Sequence, residues 1–322
     1  MRRGKIVLIV ILAALALCFT GILIWGIRAG ENFGQELRRS FSGKSSTYTQ
    51  TIDLTDIRKL SLDYGSADLV ISPGSGSEMV LTEYFSGEPK GENYGQVRRD
   101  EETGSVSVTR GKEYMSVSFF SFGSGLLRAE ISIPETYEGE IAVKTGSGNV
   151  EMARLQTSRT EIEAGSGDIR LEALTGGNVS VSTGSGNIRA EECTAGLDLE
   201  TGSGDLRLDQ IHGSVHIETS SGDVELTEGT GSRSIKTSSG DLVMDSGGED
   251  IQVETGSGDV TIRKLESQSF RLQTETGSGD LSGDVIRSLG INKEEETYQG
   301  IYGDSPGFQV NIQTGSGDIR LK

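Results

Sequence analysis

A short repeat constrains the fold of this chain more than any other feature. The segment T-G-S-G-[DN]-[VIL] recurs nine times, with small departures, in 322 residues. Numbered by its Asp or Asn, it falls at Asn149, Asp168, Asn187, Asp205, Asp223, Asp241, Asp259, Asp280 and Asp318. The intervals are 19, 19, 18, 18, 18, 18, 21 and 38 residues. Such a period is typical of a solenoid, and we interpret the last interval as two periods with one coil degraded or replaced.

Apolar and polar residues alternate on both sides of the GSG turn. One and three residues after the Asp or Asn, and six residues before it, nearly every copy has Val, Ile, Leu or Met. A period of two indicates β-strands, so each coil has one strand on either side of the turn. At about 4.8 Å per coil, nine to ten coils stack into a rod with a continuous apolar core. The sequence therefore predicts an all-β protein, a β-solenoid with about 18–19 residues per coil.

The sequence around the repeats is less regular. Residues 51–140 contain a worn copy of the repeat, YGSADL, and several alternating runs, which predict the strands of an irregular β cap. We assign residues 141–322 to the solenoid repeats, with an insertion at 284–307 that we interpret as a loop containing at most one helical turn. Because loops often carry function, we expect deletion of residues 285–306 to preserve the fold and abolish partner binding.

An apolar segment without charges runs from Ile6 to Ile27. As a helix it spans about 33 Å, enough to cross a bilayer core. The apolar stretch of a cleaved signal peptide is shorter, so residues 1–28 are predicted to be a cytoplasmic tip and a retained transmembrane helix, with a polar stalk at 29–50. Basic residues on the two sides nearly balance. We place the N-terminus in the cytoplasm because its five-residue leader carries three of them.

The distribution of charge also changes shortly after this apolar segment. Residues 1–44 have 7 basic and 2 acidic residues, and the remainder has 23 basic and 46 acidic residues. A chain this acidic is not expected to bind nucleic acid, which requires a basic surface. Two Cys exclude a disulfide framework and a zinc site built from cysteines.

The TGSGDV repeats follow the predicted strand ISIPETY (131–137) along the chain, and the segment YGDSPGFQVNIQTGSGDIRL (302–321) lies at the C-terminal end. With these features the sequence resembles the bacterial β-strand-repeat family labelled "putative adhesin". The resemblance covers about residues 50–322. It implies a β-solenoid that is exported or membrane-anchored, without known catalytic residues, and some relatives look like accessory parts of envelope-stress systems.

The repeated turn suggests two kinds of site. Its Asp column resembles the stacked carboxylates of calcium-binding β-rolls, but there is one Asp per coil and two copies carry Asn. We predict a structural role for this column and no cofactor, with calcium as the alternative; the glycines are expected to supply positive φ. Two residues after the Asp or Asn, successive coils carry Arg170, Arg189 and Arg207, a predicted outward column that can bind sulfate, phosphate or a sugar acid. The alternative is cross-strand pairing with the acidic residues two positions further on, Glu172, Glu191 and Asp209.

Three further surfaces are predicted to make contacts. Phe119, Phe120 and Phe122 form a hydrophobic stretch of the cap, and Tyr298 and Tyr302 lie in the insertion. The terminal coil, residues 314–322, has no evident cap, so its open sheet edge is a predicted site of self-association.

These features predict a single-pass protein of the cell membrane whose extracytoplasmic solenoid is a non-enzymatic surface interaction module, an adhesin or envelope scaffold. The expected partners are the membrane, through the N-terminal helix, and a protein or an envelope glycan. One alternative is an accessory regulatory subunit of a cell-envelope stress response. Another is a carbohydrate-active enzyme, although residues 141–301 contain only two aromatic residues to line a sugar cleft, Phe270 and Tyr298.

Overall fold

The computed structural model describes residues 45–86, 94–110, 126–291 and 296–322. The predicted transmembrane helix, Phe119, Phe120 and Phe122 lie outside this part of the chain. The strands are β1 Ser46–Asp53, β2 Lys59–Tyr64, β3 Asp68–Gly74, β4 Glu78–Phe85, β5 Gln96–Asp100, β6 Ser105–Thr109, β7 Leu126–Pro134, β8 Glu140–Thr145, β9 Val150–Ala153, β10 Gln156–Ala164, β11 Ile169–Glu172, β12 Thr175–Thr183, β13 Ile188–Glu191, β14 Leu197–Thr201, β15 Leu206–His212, β16 Val215–Thr219, β17 Val224–Thr230, β18 Arg233–Thr237, β19 Leu242–Asp245, β20 Ile251–Thr255, β21 Val260–Arg263, β22 Phe270–Thr276, β23 Leu281–Gly283, β24 Thr297–Tyr302, β25 Phe308–Thr314 and β26 Ile319–Leu321. The helix α1 is Asp284–Leu289, and within the described residues no helix is long and apolar enough to cross a membrane.

Within the part of the chain that the structure describes, the strands form two sheets of 13 strands each. Sheet 1 has the order β1-β4-β7-β3-β9-β11-β13-β15-β17-β19-β21-β26-β23, and sheet 2 has the order β24-β22-β25-β20-β18-β16-β14-β12-β10-β8-β2-β6-β5. Each coil adds one strand to each sheet, and successive coils pair in parallel and in register. The register is the same throughout because a slip by one residue would turn every apolar side chain outward. The all-β fold of stacked coils is thus confirmed.

The core lies between the two sheets as continuous apolar columns. In sheet 1 one column runs through Leu69, Val150, Ile169, Ile188, Leu206, Val224, Leu242, Val260, Ile319 and Leu281, all at most 1% exposed. Burial of each such side chain contributes roughly 1.5–3 kcal/mol, but only when a neighbouring coil covers it. The stability of a coil therefore depends on the coils above and below it.

The repeat glycines are needed for close stacking, which differs from the expected positive φ. None of the glycines in the repeated turns has a positive φ. At the second glycine of each TGSG turn, a Cβ would lie 1.8–1.9 Å from the backbone oxygen of the equivalent residue in the neighbouring coil. Positive φ occurs elsewhere in the coils. Residues other than glycine adopt it at the next corner, at Arg154, Ala173, Glu192, Gln210, Glu228 and Lys264, and glycines outside the repeated turns adopt it too, among them Gly176, Gly229, Gly231 and Gly248.

The last coil of the sequence is not the last coil of the stack. Strand β26 lies between β21 and β23, and β25 lies between β20 and β22. The interval of 38 residues therefore contains no degraded coil. After β23 the chain leaves the stack, and it then inserts β25 and β26 between the coil of β20 and β21 and the coil of β22 and β23. This placement also corrects the expected open edge at residues 314–322, since both strands of that coil are paired on both sides.

Helix α1 and strand β24, on either side of residues 292–295, close this end of the core, so the described part of the insertion is a cap rather than a loop. Helix α1 buries Val285 and Ile286, and β24 pairs antiparallel with β22. Tyr298 and Tyr302 on β24 are half-buried and pack against the core. Deletion of residues 285–306 would expose the last apolar layer, so the expectation that the fold survives this deletion does not agree with the structure.

Strands β1, β4, β5, β6 and β7 close the opposite end. The fully buried Glu83 of β4 accepts hydrogen bonds from the backbone N–H of Gly95 at 3.1 and 2.9 Å. Gln50 donates to the carbonyl oxygen of the same glycine at 2.9 Å. A buried carboxyl therefore fixes the chain where it crosses the end of the core, and burial raises the pKa of Glu83.

A groove along the arginine column

The Asp and Asn residues of the repeat form a ladder that joins the coils. Oδ1 of each except the last, Asp280, accepts a hydrogen bond from the backbone N–H of the equivalent residue in the next coil of the stack, at 2.8–3.1 Å. The ladder runs through Asp68, Asn149, Asp168, Asn187, Asp205, Asp223, Asp241, Asp259, Asp318 and Asp280. An amide oxygen accepts as a carboxylate does, so Asn is compatible with every position. The column thus has the structural role that the sequence suggested.

A shallow groove of about 390 Å³ lies beside one half of this ladder. One side is formed by the ladder residues Asn149, Asp168, Asn187 and Asp205, and the other by Glu151, Arg170, Arg189 and Arg207. Arg170 is the register partner of Arg189, and Arg189 is the register partner of Arg207. The structure therefore brings the three predicted arginines together in one column, with neighbouring backbones about 4.8 Å apart.

The arginines share few acidic partners. The carboxylate of Glu191 pairs with both Arg170, at 2.9 Å, and Arg189. Arg207 lies 3.6 Å from Glu225 of the next coil. Of the other two residues expected to neutralise the row, Glu172 pairs with Arg154 and Asp209 accepts a hydrogen bond from Thr227. The three arginine side chains remain 48%, 52% and 66% exposed, so their guanidinium groups are accessible from the groove.

The groove is also the part of the ladder with the least negative charge. The lining there holds three arginines and three carboxylates, those of Glu151, Asp168 and Asp205, and the arginines also pair with Glu191 and Glu225, which are not part of the lining. In the remaining coils, the ladder and the same outward column hold seven carboxylates and one arginine: Asp68, Asp223, Asp241, Asp259, Asp318, Asp280, Glu225 and Arg320. Both Asn residues of the ladder fall in the groove. The sequence contains this signal, because Asn149 lies one coil before Arg170 and Asn187 lies in the same coil as Arg189.

The other predicted contact residues lie elsewhere. The ring of Tyr302 is 5.3 Å from that of Phe270, and its hydroxyl donates a hydrogen bond to the backbone oxygen of Glu266 at 3.2 Å. Tyr298 packs on the same end of the core. Both tyrosines therefore belong to the cap over the end of the stack, far along the ladder from the arginine groove. Among the described residues, no group of three or more His, Cys, Asp or Glu side chains is placed to hold a metal ion.

Comparison with known proteins identifies a family. Residues 57–224 and 194–322 both match the family described as Toastrack DUF4097. Among solved structures, the chain is similar to a "putative adhesin" from Bacteroides fragilis, with 13% identity and a TM-score of 0.41, covering 87% of this chain and 99% of that one. A "putative lipid binding protein" from Parabacteroides distasonis has 14% identity and a TM-score of 0.37, covering 87% and 98%. A "putative cell adhesion protein" from Clostridium sporogenes has 18% identity and a TM-score of 0.28, covering 87% and 99%. No curated protein matches the chain.

Proposed function

This chain belongs to the Toastrack DUF4097 family, and from that premise we propose that it is a membrane-anchored, extracytoplasmic surface interaction module without catalytic activity. The observation that carries the proposal is the closed stack. Side chains fill the interior from one cap to the other, so ligands meet the outward faces. These faces present side chains in straight columns at a fixed spacing, as extended binding surfaces of repeat proteins do.

The N-terminal sequence supports the proposed position of the module. The uncharged segment Ile6 to Ile27 is long enough to anchor the chain, and its basic leader favours a cytoplasmic N-terminus. Protease treatment of intact cells, followed by detection of the C-terminal tail, tests this orientation. We expect the tail to be lost without lysis. Protection of the tail until the cells are lysed would place the solenoid inside and remove the surface role.

Cell attachment tests the interaction itself. Cells that produce the full chain and cells that lack it are compared for attachment to immobilised cell walls of the same organism. We expect attachment to depend on the chain. Equal attachment of the two strains would contradict the proposal.

Replacing residues 6–27 with an unrelated transmembrane helix separates this role from that of a regulatory subunit. A surface module needs the helix only as an anchor, so its attachment should survive the exchange. A subunit that signals through specific helix contacts should lose its activity.

A further inference from the structure

We propose that the arginine groove binds a linear anionic polymer, which contacts Arg170, Arg189 and Arg207 through successive charged groups. This inference rests on the proposed function and names the ligand class of one surface of the module. The groove extends across several coils and is open along its length, so it suits an extended chain. Its lining combines guanidinium groups with the amides of Asn149 and Asn187.

The backbone fixes the spacing at which the three arginine side chains leave the sheet. Strands β11, β13 and β15 pair in parallel and in register, so each arginine stands one strand spacing from the next. Glu191 pairs with two of them, is 20% exposed and does not line the groove. It therefore orients Arg170 and Arg189 while leaving most of their donors for a ligand. Each guanidinium has five N–H donors in a planar arrangement that matches sulfate, phosphate and carboxylate.

The two Asn residues change the chemistry of the groove without changing the ladder. Oδ1 of Asn149 and Asn187 accepts the ladder hydrogen bond, as Asp does elsewhere. The second polar atom is then an NH₂ donor in place of a carboxylate oxygen, and that of Asn187 gives one of its hydrogens to Oδ1 of Asp168 at 3.2 Å. Both substitutions remove negative charge from the coils where an anion would bind. The long-range repulsion from the rest of this acidic chain is screened within about 8 Å at physiological ionic strength, so the local lining decides the affinity.

The binding test uses the full chain in detergent micelles, with dextran sulfate as the probe and uncharged dextran as the matched polymer. We expect saturable binding of dextran sulfate only. Substitution R170Q/R189Q/R207Q should weaken it at least about tenfold, because three charge-assisted contacts are lost. Polygalacturonate provides a carboxylated probe, and its affinity relative to dextran sulfate shows which anionic group the groove prefers.

The matched control removes the same charge from the opposite sheet. Lys59, Lys144 and Lys236 lie on the outward face of sheet 2, and each pairs with one glutamate of a neighbouring coil. We expect K59Q/K144Q/K236Q to bind dextran sulfate within about twofold of the wild type, because exposed charges this far from the groove are screened. An equal loss in both triple variants would show a non-specific charge effect and overturn the proposal.

A second variant tests the groove while keeping the ladder. In N149D/N187D both positions still accept the ladder hydrogen bond, so the fold should be kept, with a small fall in the thermal midpoint from repulsion between neighbouring carboxylates and from loss of the hydrogen bond that Asn187 donates to Asp168. Two added carboxylates in the groove should weaken dextran sulfate binding several-fold. Wild-type affinity in both this variant and the arginine triple variant would refute the site. Binding by the purified chain together with chain-independent cell attachment would instead reject the proposed function and leave the groove in place.

Discussion

The apolar core is covered in different ways in the middle of the stack and at its two ends. In the middle, each coil is covered by copies of itself, which supply its core contacts, its strand pairing and its ladder hydrogen bonds. At the ends there is no further copy, and non-repeating elements take over. One end is closed by α1 and β24 through apolar and aromatic contacts, the other by β-strands and the buried carboxyl of Glu83. Repetition thus makes residues in the middle equivalent, whereas each cap depends on individual side chains.

The largest loss of stability is expected when a glycine in the middle coils of the stack is replaced. A Cβ on Gly204 would lie 1.8 Å from the carbonyl oxygen of Gly186, so Gly204→Ala must push two coils apart. We expect a loss of at least about 3 kcal/mol in the free energy of unfolding, measured by chemical denaturation. The control is Ser203→Ala in the same exposed turn, which should change stability by less than about 0.5 kcal/mol. The first coil of the ladder has Ala67 at the equivalent position, so Ala is tolerated there. A harmless Gly204→Ala would mean that the middle coils are no more tightly stacked than the first.

A somewhat smaller effect is expected at the cap formed by α1. Ile286 is 2% exposed, and Ile286→Asp places a charge against the last apolar layer. The loss in the free energy of unfolding should be limited to about 2–3 kcal/mol, because a short helix at the end of the stack can detach without unfolding the coils. Hydrogen exchange should show faster exchange in β23 and β26, the strands that α1 contacts, while β14 and β16 stay protected. The exposed Ser288→Ala serves as control. Uniform acceleration along the whole stack would show that this cap and the middle unfold as one unit.

The ladder should contribute about 1 kcal/mol per hydrogen bond. Asp223 accepts a hydrogen bond from the backbone N–H of Asp241 at 3.0 Å, and Asp223→Ala removes the acceptor. Asp223→Asn keeps it and reduces repulsion between neighbouring carboxylates, which is about 0.9 kcal/mol in water at 4.8 Å. We therefore expect the Ala variant to lower the thermal midpoint and the Asn variant to leave it unchanged or raise it. If both lowered it equally, the charge and not the hydrogen bond would be the important property.

The smallest effect is expected at Glu83, as a change in pH dependence. The pKa of Glu83 is raised in the folded state by burial, so the folded protein holds this proton where the unfolded chain has released it. The stabilisation is complete below the unfolded pKa, about 4.3, and is lost as the pH rises through the folded pKa. Glu83→Gln should therefore gain stability relative to the wild type between pH 4 and pH 8, within about 1 kcal/mol. Denaturation curves at both pH values measure this difference, with the exposed Glu78→Gln as control. A difference that shrank with rising pH would contradict the role of burial.

Much of the fold could be predicted because its residues are governed by local rules. Val181 and Leu199 alternate with polar neighbours, and that period of two determines which side of the strand faces the core. The Asp column was correctly assigned to structure, since Asn at two positions is compatible with a hydrogen bond and not with a required charge. The partner of each arginine was harder to predict. Arg207 pairs with Glu225 and not with Asp209, because the reach of side chains across strands decides the pairing.

The sequence by itself determined the coil, with its two strands, its turn and its inward columns, because these depend on residues within one period. Only the tertiary structure decided the order of the coils. Every copy presents the same apolar columns and the same ladder atoms, so any coil can stack on any other, and position along the chain does not specify position in the stack. For this reason residues 308–321 lie inside the stack, between the coil of β20 and β21 and the coil of residues 270–283. For the same reason α1 and β24, within 284–307, form a cap. The groove can be recognised only from the placement of neighbouring coils.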